Sequence, residues 1–257
     1  MKANGALLLL KQMSRFFVEP TDVYDKDIII SQKSDVKHIK KVLRMKPGDL
    51  IEISDGEVWE YEGEILNIDD DQVEVKILDK QKFAREPEIE ITLYQGVPKS
   101  GKMELIVQKN VELGVKKFVP TFMDRTVVSG MDKYKKKIDR YNAIAMEAAK
   151  QCRRGIIPIV TNPIDFKELL NQLKEFDLVL FPYENENNYT IKDCLKNLTL
   201  KPKKVAIIIG PEGGFSNSEV SMLKEVGIDS VTLGNTILRT ETAGIAAVAM
   251  TMYQLEI

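Results

Sequence analysis

The chain has 257 residues, of which 44% are hydrophobic and 30% charged, and this composition excludes disordered and membrane-embedded classes. Its net charge of −2 excludes a strong overall basic field, although residues 33–46 and 133–154 are locally basic. Two cysteines and a single histidine are too few for a disulfide framework or a structural zinc site. We therefore expect reduced thiols, no bound metal and a cytoplasmic location.

The first twelve residues differ from the rest of the chain. The segment MKANGALLLLKQ contains an apolar run of about six residues, which is short for a signal peptide and far too short to span a bilayer. A second methionine, Met13, follows directly. We exclude residues 1–12 from the fold prediction and expect no membrane association.

Residues 13–82 are predicted to form a first domain made mostly of strands. The segments DIIIS, DLIEISDG, VWEYEGEILNI and QVEVKILD are short and rich in β-branched residues, and turn signals such as Pro47-Gly48 and Asp55-Gly56 separate them. A helix is predicted near Asp35–Met45 from its apolar spacing. The pattern predicts a small β-barrel of PUA or OB type.

Residues 83–88 are polar, contain a proline and are predicted to be a linker, after which residues 89–257 alternate strands with helices. The predicted strands are IEITLYQG, KKFVPTF, DLVLFPYE, VAIIIG and SVTLG. The predicted helices are MELIVQKNVELG, residues 132–152, PIDFKELLNQLKEF, SNSEVSMLKEVG with a Ser216–Glu219 capping box, and TETAGIAAVAMTMYQLE. Such alternation is typical of an α/β domain around a largely parallel sheet.

The loop Gly210–Phe215, with the sequence GPEGGF, directly follows the apolar strand VAIIIG. Ligands of α/β sheets bind at the carboxyl ends of strands, and glycines allow a ligand to approach the backbone. The loop therefore indicates a binding site. A tight turn leading into a capped helix is the alternative interpretation.

A second loop, Leu233–Ala243, also joins a strand to a helix. We expect Thr240 to cap that helix. Arg239 and Glu241 are charged residues beside an apolar segment, and ordinary surface charge is the alternative interpretation for both. The small residues of the following helix permit either close packing in the core or a subunit contact.

The loop Gly96–Lys102 fits the phosphate-binding spacing G-x-x-x-x-G-K between a strand and a helix. However, Met103 stands where a Ser or Thr should hold Mg²⁺, and Pro98 removes a backbone N–H that would contact phosphate. A nucleotide hydrolase is therefore disfavoured. We expect Lys99 and Lys102 to contact an RNA backbone instead.

From Ser14 onwards the chain resembles the RsmE family of 16S ribosomal RNA uridine-N3 methyltransferases, within the SPOUT superfamily. The resemblance depends on SRFFV at 14–18, HIKKVLR at 38–44, KSGKMELIVQKNVELGV at 99–115, EAAKQCRR at 147–154, GPEGGFS at 210–216 and LGNTILRTETA at 233–243. Tyr141 and Cys152 depart from the family pattern, and residues 1–12 have no counterpart in it. The resemblance implies an N-terminal PUA-like β-barrel over 13–82 and a C-terminal α/β trefoil-knot methyltransferase domain over 89–257.

The resemblance further implies a homodimer that binds S-adenosyl-L-methionine (SAM) and methylates a uridine of 16S ribosomal RNA in the small subunit. For catalysis we expect Arg239 to stabilise the deprotonated base, and Glu241 is a second candidate, as a base or as the residue that orients Arg239. The expected cofactor-binding residues are Phe181, Pro182, Glu184, Gly210, Pro211, Glu212, Gly213, Gly214, Leu233, Gly234, Ile237, Leu238, Arg239, Thr242 and Ala243. The expected RNA contacts are Arg15, His38, Arg44, Lys99, Lys102, Arg125, Arg153 and Arg154, each of which is otherwise ordinary surface charge.

Two other functions compete with this interpretation. One is the nucleotide hydrolase suggested by the loop at 96–102. The other is a non-enzymatic RNA-binding or ribosome-assembly factor that would use the PUA-like domain alone. In that case the loops at 210–215 and 233–243 would have no purpose beyond turns.

Overall fold

The computed structural model describes residues 13–83, 85–99 and 101–257. The leading segment 1–12 and Ser100 of the loop at 96–102 lie outside the described residues. The chain divides into two compact units, Met1–Arg85 and Glu86–Ile257. Within the described ranges, every helix is too short or too polar to cross a lipid bilayer.

The first unit is a five-stranded sheet with a short 3₁₀ helix at Pro20–Asp22 and one longer helical segment. Its elements are β1 (Arg15–Phe17), β2 (Asp27–Ile30), α1 (Lys33–Lys37), β3 (Leu50–Ser54), β4 (Trp59–Ile68) and β5 (Val73–Lys82). The strand order is β1-β3-β4-β5-β2, with β1 parallel to β3 and the other pairs antiparallel. Alternate residues of the strands face inward, so that Ile28, Ile30, Ile51, Ile53 and Val75 are completely or almost completely buried in one core.

The helical segment of this unit differs from the prediction at both ends. It begins at Lys33 rather than at Asp35, and after α1 it continues with wider, π-helical hydrogen bonding over His38–Leu43. It ends before Met45 because Arg44 adopts the left-handed conformation, with φ of 53°.

The second unit is an α/β layer structure. Its elements are β6 (Glu90–Gly96), α2 (Lys102–Glu112), β7 (Lys117–Phe122), α3 (Met131–Lys135), α4 (Ile138–Cys152), β8 (Ile159–Val160), β9 (Ile164–Asp165), α5 (Phe166–Gln172), β10 (Leu178–Pro182), α6 (Ile191–Lys196), β11 (Lys204–Ile209), α7 (Asn217–Glu225), β12 (Ser230–Val231) and α8 (Thr240–Leu255). All strand pairs are parallel, in the order β12-β10-β11-β6-β7-β8, with β9 also paired to β7. The predicted α/β class with a parallel sheet is confirmed.

The single long helix predicted over 132–152 is wrong, because the segment forms two helices, α3 and α4. The chain turns at Lys136–Lys137, where the N–H of Lys137 donates to the carbonyl of Tyr134 at 2.9 Å. The buried Tyr134 ring lies 5.8 Å from the rings of Phe122 and Tyr141, measured between centroids. Packing of this ring therefore takes precedence over the local helical tendency.

The capping box predicted at Ser216 and Glu219 is present at the start of α7. The fully buried Glu219 carboxylate accepts from the backbone N–H of Ser216 at 2.8 Å and from that of Asp124 at 2.9 Å. The cap therefore also fixes the loop that follows β7 against the loop that follows β11.

Candidate active site

Three loops of the second unit converge at one edge of the sheet. Strands β10, β11 and β12 are neighbours and parallel, so their carboxyl ends lie together. The loops that follow them surround a cavity of about 580 Å³. This is the position at which α/β sheets bind ligands.

Most of the residues predicted to hold a cofactor line this cavity. They are Pro182, Glu184, Gly210, Pro211, Glu212, Gly213, Gly214, Leu233, Gly234, Ile237, Leu238, Arg239 and Ala243. Phe181 does not line it, because its ring is fully buried 4.7 Å from the ring of Phe215 in the core beneath. Thr242 is exposed on α8 and does not line it either. We therefore remove these two residues from the predicted set.

Several lining residues were missed by the sequence analysis. They are Lys102, Tyr183, Asn187, Ile209, Phe215, Thr232, Asn235, Thr236 and Thr240. All but Lys102 lie within or beside the same strand-end loops, so position after a strand was the signal that could have found them. Lys102 is the first residue of α2, after the loop that follows β6, and the sequence analysis predicted that it contacts RNA.

The glycines of the loop after β11 are needed because other chain segments approach them closely. A Cβ atom on Gly213 would lie 2.8 Å from the Cβ of Arg125 and 3.2 Å from its carbonyl oxygen. Gly214 has φ of +67°, and a Cβ atom there would collide with the Glu184 carboxylate. The loop therefore packs closely against the segments that carry Arg125 and Glu184.

Thr240 does not cap α8 as predicted, because it is already the first residue of the helix. The capping position belongs to Arg239, whose extended backbone accepts from the N–H of Ala243 at 2.8 Å. The Thr240 hydroxyl instead donates to the carbonyl of Gly210 at 2.6 Å and accepts from Nε2 of Gln95 at 2.8 Å. These bonds tie the start of α8 to the loop after β11.

Glu186 organises the loop after β10. Its carboxylate accepts from the backbone N–H of Asn188 at 2.9 Å, from the Ser230 hydroxyl at 2.9 Å and from the backbone N–H of Tyr189 at 3.2 Å. In the same order of importance, these three donors lower the pKa of Glu186 to about 2. The bonds hold the segment that carries Asn187 at the cavity wall.

Lys102 lies between two carboxylates at the edge of the cavity. Its Nζ is 3.1 Å from Oε1 of Glu212 and 3.1 Å from Oε2 of Glu241. Glu212 also accepts from the backbone N–H of Lys99 at 3.0 Å. Partial burial opposes the charged state of Lys102, but the two carboxylates outweigh it and raise the pKa of the ammonium. Burial likewise raises the pKa of Glu212, but the N–H groups of Glu212 and Lys99 and the ammonium of Lys102 lower it overall.

This arrangement changes two of the predicted roles. Lys102 is engaged inside the unit, so we remove it from the expected phosphate contacts. Glu241 contacts Lys102 rather than Arg239, so the structure gives no support to Glu241 as a general base. Arg239 itself lines the cavity and is exposed, and its side chain makes no hydrogen bond or ion pair with any described residue.

Two more of the predicted RNA contacts are buried. The Arg15 side chain is 1% exposed and lies 3.5 Å from a carboxylate oxygen of Glu52 and 3.3 Å from one of Glu60. The Arg154 side chain is 5% exposed and pairs with Glu86 at 2.8 Å. Neither guanidinium is presented at the surface, so we remove both from the expected phosphate contacts.

The remaining basic candidates reach the surface. His38, Arg44, Lys99 and Arg125 are exposed and Arg153 is half-buried. Arg125 also donates to the carbonyl of Gly213 at 3.0 Å, which places it beside the cavity. Among the described residues, no three His, Cys, Asp or Glu side chains are grouped to hold a metal ion.

Comparison with known proteins defines the class to which this fold and site belong. A family model described as an RNA methyltransferase domain matches residues 85–252, and one described as an RNA methyltransferase PUA domain matches residues 32–78. The α/β unit is therefore an RNA methyltransferase domain with a largely parallel sheet, and a PUA domain precedes it in the chain, as the resemblance implied.

The chain belongs to the ribosomal RNA small subunit methyltransferase E family. The Bacillus subtilis member is 33% identical over 251 residues, which cover 95% of this chain and 98% of the relative. The solved Neisseria gonorrhoeae member, bound to S-adenosyl methionine, is 27% identical with a TM-score of 0.82 and covers 94% of this chain and 97% of its own. A Legionella pneumophila methyltransferase in complex with SAM is 30% identical, also with a TM-score of 0.82, and covers 94% of this chain and 98% of its own.

Proposed function

We propose that the protein transfers a methyl group from SAM to N3 of a specific uridine in 16S ribosomal RNA of the small subunit. The observation that carries the proposal is the cavity at the carboxyl ends of β10, β11 and β12. It is lined by glycines and by Arg239, whose side chain has no partner among the described residues. The solved relatives from Neisseria gonorrhoeae and Legionella pneumophila are bound to SAM. The Bacillus subtilis relative is named as a methyltransferase of small-subunit ribosomal RNA.

The residues of the cavity fit SAM. Gly210, Gly213 and Gly214 line the cavity and carry no side chains, so the backbone of this loop can lie against a ligand. The side chains of Glu184 and Glu212 line the cavity, so carboxylates are available to a cationic ligand. When bound, SAM supplies a methyl group activated by a sulfonium. We propose that the loops after β10, β11 and β12 hold it.

Uridine N3 must lose its proton before it can attack a methyl group. We propose that Arg239 stabilises the resulting anion of the base, which lowers the pKa of the N3–H group and lets solvent accept the proton. Its guanidinium is available for this role because no described residue pairs with it. The target base has to be unpaired or flipped out, because N3 lies within the base pair in duplex RNA.

We further propose that the exposed basic residues contact RNA phosphates. Arg125 lies beside the cavity through its bond to Gly213, and Lys99 donates its backbone N–H to Glu212 from the loop after β6. His38, Arg44 and Arg153 are the other exposed or half-exposed candidates. Such contacts position the RNA, whereas the cavity selects the base.

We propose that the enzyme works as a cytoplasmic homodimer. The outer face of α8 carries the exposed apolar side chains of Met250 and Tyr253, beside a second cavity of about 400 Å³ that reaches Leu233 and Gly234. A second copy would cover this apolar face. Sedimentation of the wild type should give twice the mass of one chain, and Tyr253→Glu should shift it towards the monomer. A monomeric wild type would contradict this part of the proposal.

The proposed reaction is tested with SAM and small ribosomal subunits that lack the modification. We expect saturable SAM binding by calorimetry and 3-methyluridine as the product, detected by mass spectrometry of digested RNA. Arg239→Ala should reduce kcat by about 100- to 1000-fold, the magnitude for loss of a donor that stabilises a developing anion, while SAM affinity changes little. Arg140→Ala, which removes an arginine outside the cavity that pairs with Glu104, is the matched control.

Other outcomes of these measurements contradict the proposal. Equal loss of SAM affinity and turnover in Arg239→Ala would remove the catalytic role of that residue. Methylation of another atom would remove the uridine-N3 assignment. Binding of MgATP without SAM would favour the nucleotide hydrolase, although the Glu212 carboxylate already accepts the donors of Lys99 and Lys102 that a phosphate would need.

A further inference from the structure

Three separate segments of the second unit meet at Lys102. The lysine follows β6, Glu212 lies in the loop after β11, and Glu241 lies in the first turn of α8. Both carboxylates are 3.1 Å from Nζ, and the side chains of Lys102, Glu212 and Glu241 are 29%, 21% and 14% exposed, respectively. The three charges are therefore partly shielded from water. Partly shielded ion pairs are stronger than ion pairs on an open surface.

The same three segments are joined a second time by neutral hydrogen bonds. Gln95 at the end of β6 is fully buried and donates to the Thr240 hydroxyl at 2.8 Å. Thr240, the first residue of α8, donates to the carbonyl of Gly210 at 2.6 Å. The end of β6 is thus a common anchor for the loop after β11 and for the start of α8.

The loop before Lys102 explains why its ammonium faces inward. In phosphate-binding loops of this spacing, backbone N–H groups and the lysine hold a phosphate. Here the N–H of Lys99 and the ammonium of Lys102 both contact Oε1 of Glu212, at 3.0 Å and 3.1 Å. The Glu212 carboxylate therefore accepts the donors that would hold a phosphate in such a loop.

We propose that Lys102 is a positioning residue for methyl transfer and acts through Arg239. Arg239 immediately precedes the helical turn that contains Glu241, while Glu212 belongs to the loop proposed to hold SAM. Loss of the ammonium would leave two carboxylates to repel each other and would let these segments separate. Displacement of a catalytic group by about 1 Å costs roughly 100-fold in rate, so a modest separation is enough to reduce turnover. The inference rests on the function proposed above.

The kinetic test is a double-mutant cycle between Lys102→Met and Arg239→Ala. Alone, Lys102→Met should lower kcat at saturating SAM by about tenfold or more. In the Arg239→Ala background the same substitution should have little further effect, because the group that it positions is already absent. Lys102→Arg, which keeps the charge, should restore part of the activity. Lys109→Met removes a lysine of the same helix that pairs with Glu112, and it should retain wild-type kcat.

A second measurement does not depend on activity. Hydrogen–deuterium exchange of Lys102→Met should show faster exchange both in the loop at 210–214 and in the first turn of α8, whereas Lys109→Met should show neither change. Glu241→Gln, which keeps the shape of the side chain, should loosen the same two segments to a smaller degree. This measurement is informative even if the Met variant has a lowered melting temperature, because Glu241→Gln retains Lys102 and its bond to Glu212.

Three results would overturn the inference. One is unchanged exchange in both segments of Lys102→Met. Another is a kcat equal to that of Lys109→Met. The third is an equal fold-loss in the wild-type and Arg239→Ala backgrounds, which would indicate a general structural role. Failure of the proposed function looks different, because the wild type itself would then form no 3-methyluridine while the exchange data still report on the Lys102 contacts.

Discussion

Replacement of Gly213 by alanine tests whether the loop after β11 forms the wall of the cofactor site. The new Cβ atom would lie 2.8 Å from the Cβ of Arg125, where carbon atoms in contact are normally about 3.5–4.0 Å apart. Either this loop or the loop that carries Arg125 must therefore move by roughly 1 Å. Such overpacking costs about 1–3 kcal/mol. If the free protein relieves this strain by moving the loop and the SAM complex cannot, SAM affinity falls by roughly 5- to 150-fold.

Calorimetric titration with SAM measures this loss, and the thermal midpoint measures any general destabilisation. Gly227→Ala is the control, because Gly227 has φ of +83° at the end of α7 but nothing within 4 Å of the position that a Cβ atom would take. That variant should lose about 1 kcal/mol of stability through backbone strain and keep wild-type SAM affinity. Wild-type affinity in Gly213→Ala would show that the backbone of this loop does not bear on the cofactor, and the site would have to be placed elsewhere.

The remaining predictions concern stability. Arg154→Met leaves the Glu86 carboxylate, 14% exposed, without its partner and should destabilise the second unit by about 3–5 kcal/mol in urea, whereas the exposed Arg140→Met should cost less than about 1 kcal/mol. Equal losses of stability in the two variants would mean that the buried Arg154–Glu86 pair contributes no more than the exposed one. Glu186→Gln should be less stable than the wild type at neutral pH. The pKa of Glu186 is lowered from 4.5 to about 2, so its contribution is complete above pH 4.5 and disappears as the pH falls towards 2. A difference that stays constant from pH 7 to pH 3 would contradict this origin.

Local patterns in the sequence were sufficient for most of the elements. Periodicity identified most of the helices and all strands except the short β1, β8 and β9. The Ser216–Glu219 box fixed the start of α7, because these signals depend on residues only a few positions apart. The prediction of a single helix over 132–152 was wrong because the break depends on contacts in space rather than on a local pattern. Its break depends on the packing of Tyr134 against Phe122 and Tyr141, and no local pattern reveals this contact.

The candidate site shows the same division. The loops at 210–214 and 233–243 were predicted from their glycines and their position after strands, and both line the cavity. The charged residues were harder to assign. Sequence could not distinguish Arg15 and Arg154, which are buried in ion pairs, from exposed residues such as Arg44 and Arg125. Burial of an arginine depends on where its carboxylate partner lies, and Arg154 is 68 positions from Glu86.

The sequence by itself determined the α/β class and the loops that line the candidate cavity. Only the tertiary structure decided which charges remain available for chemistry. Lys102 fits a phosphate-binding spacing, but its partners Glu212 and Glu241 are more than one hundred positions away and reach it through the order of the parallel strands. Arg239, by contrast, pairs with no carboxylate among the described residues. Ion pairing depends on distance in space, and in a parallel sheet that distance is set by strand order rather than by separation along the chain.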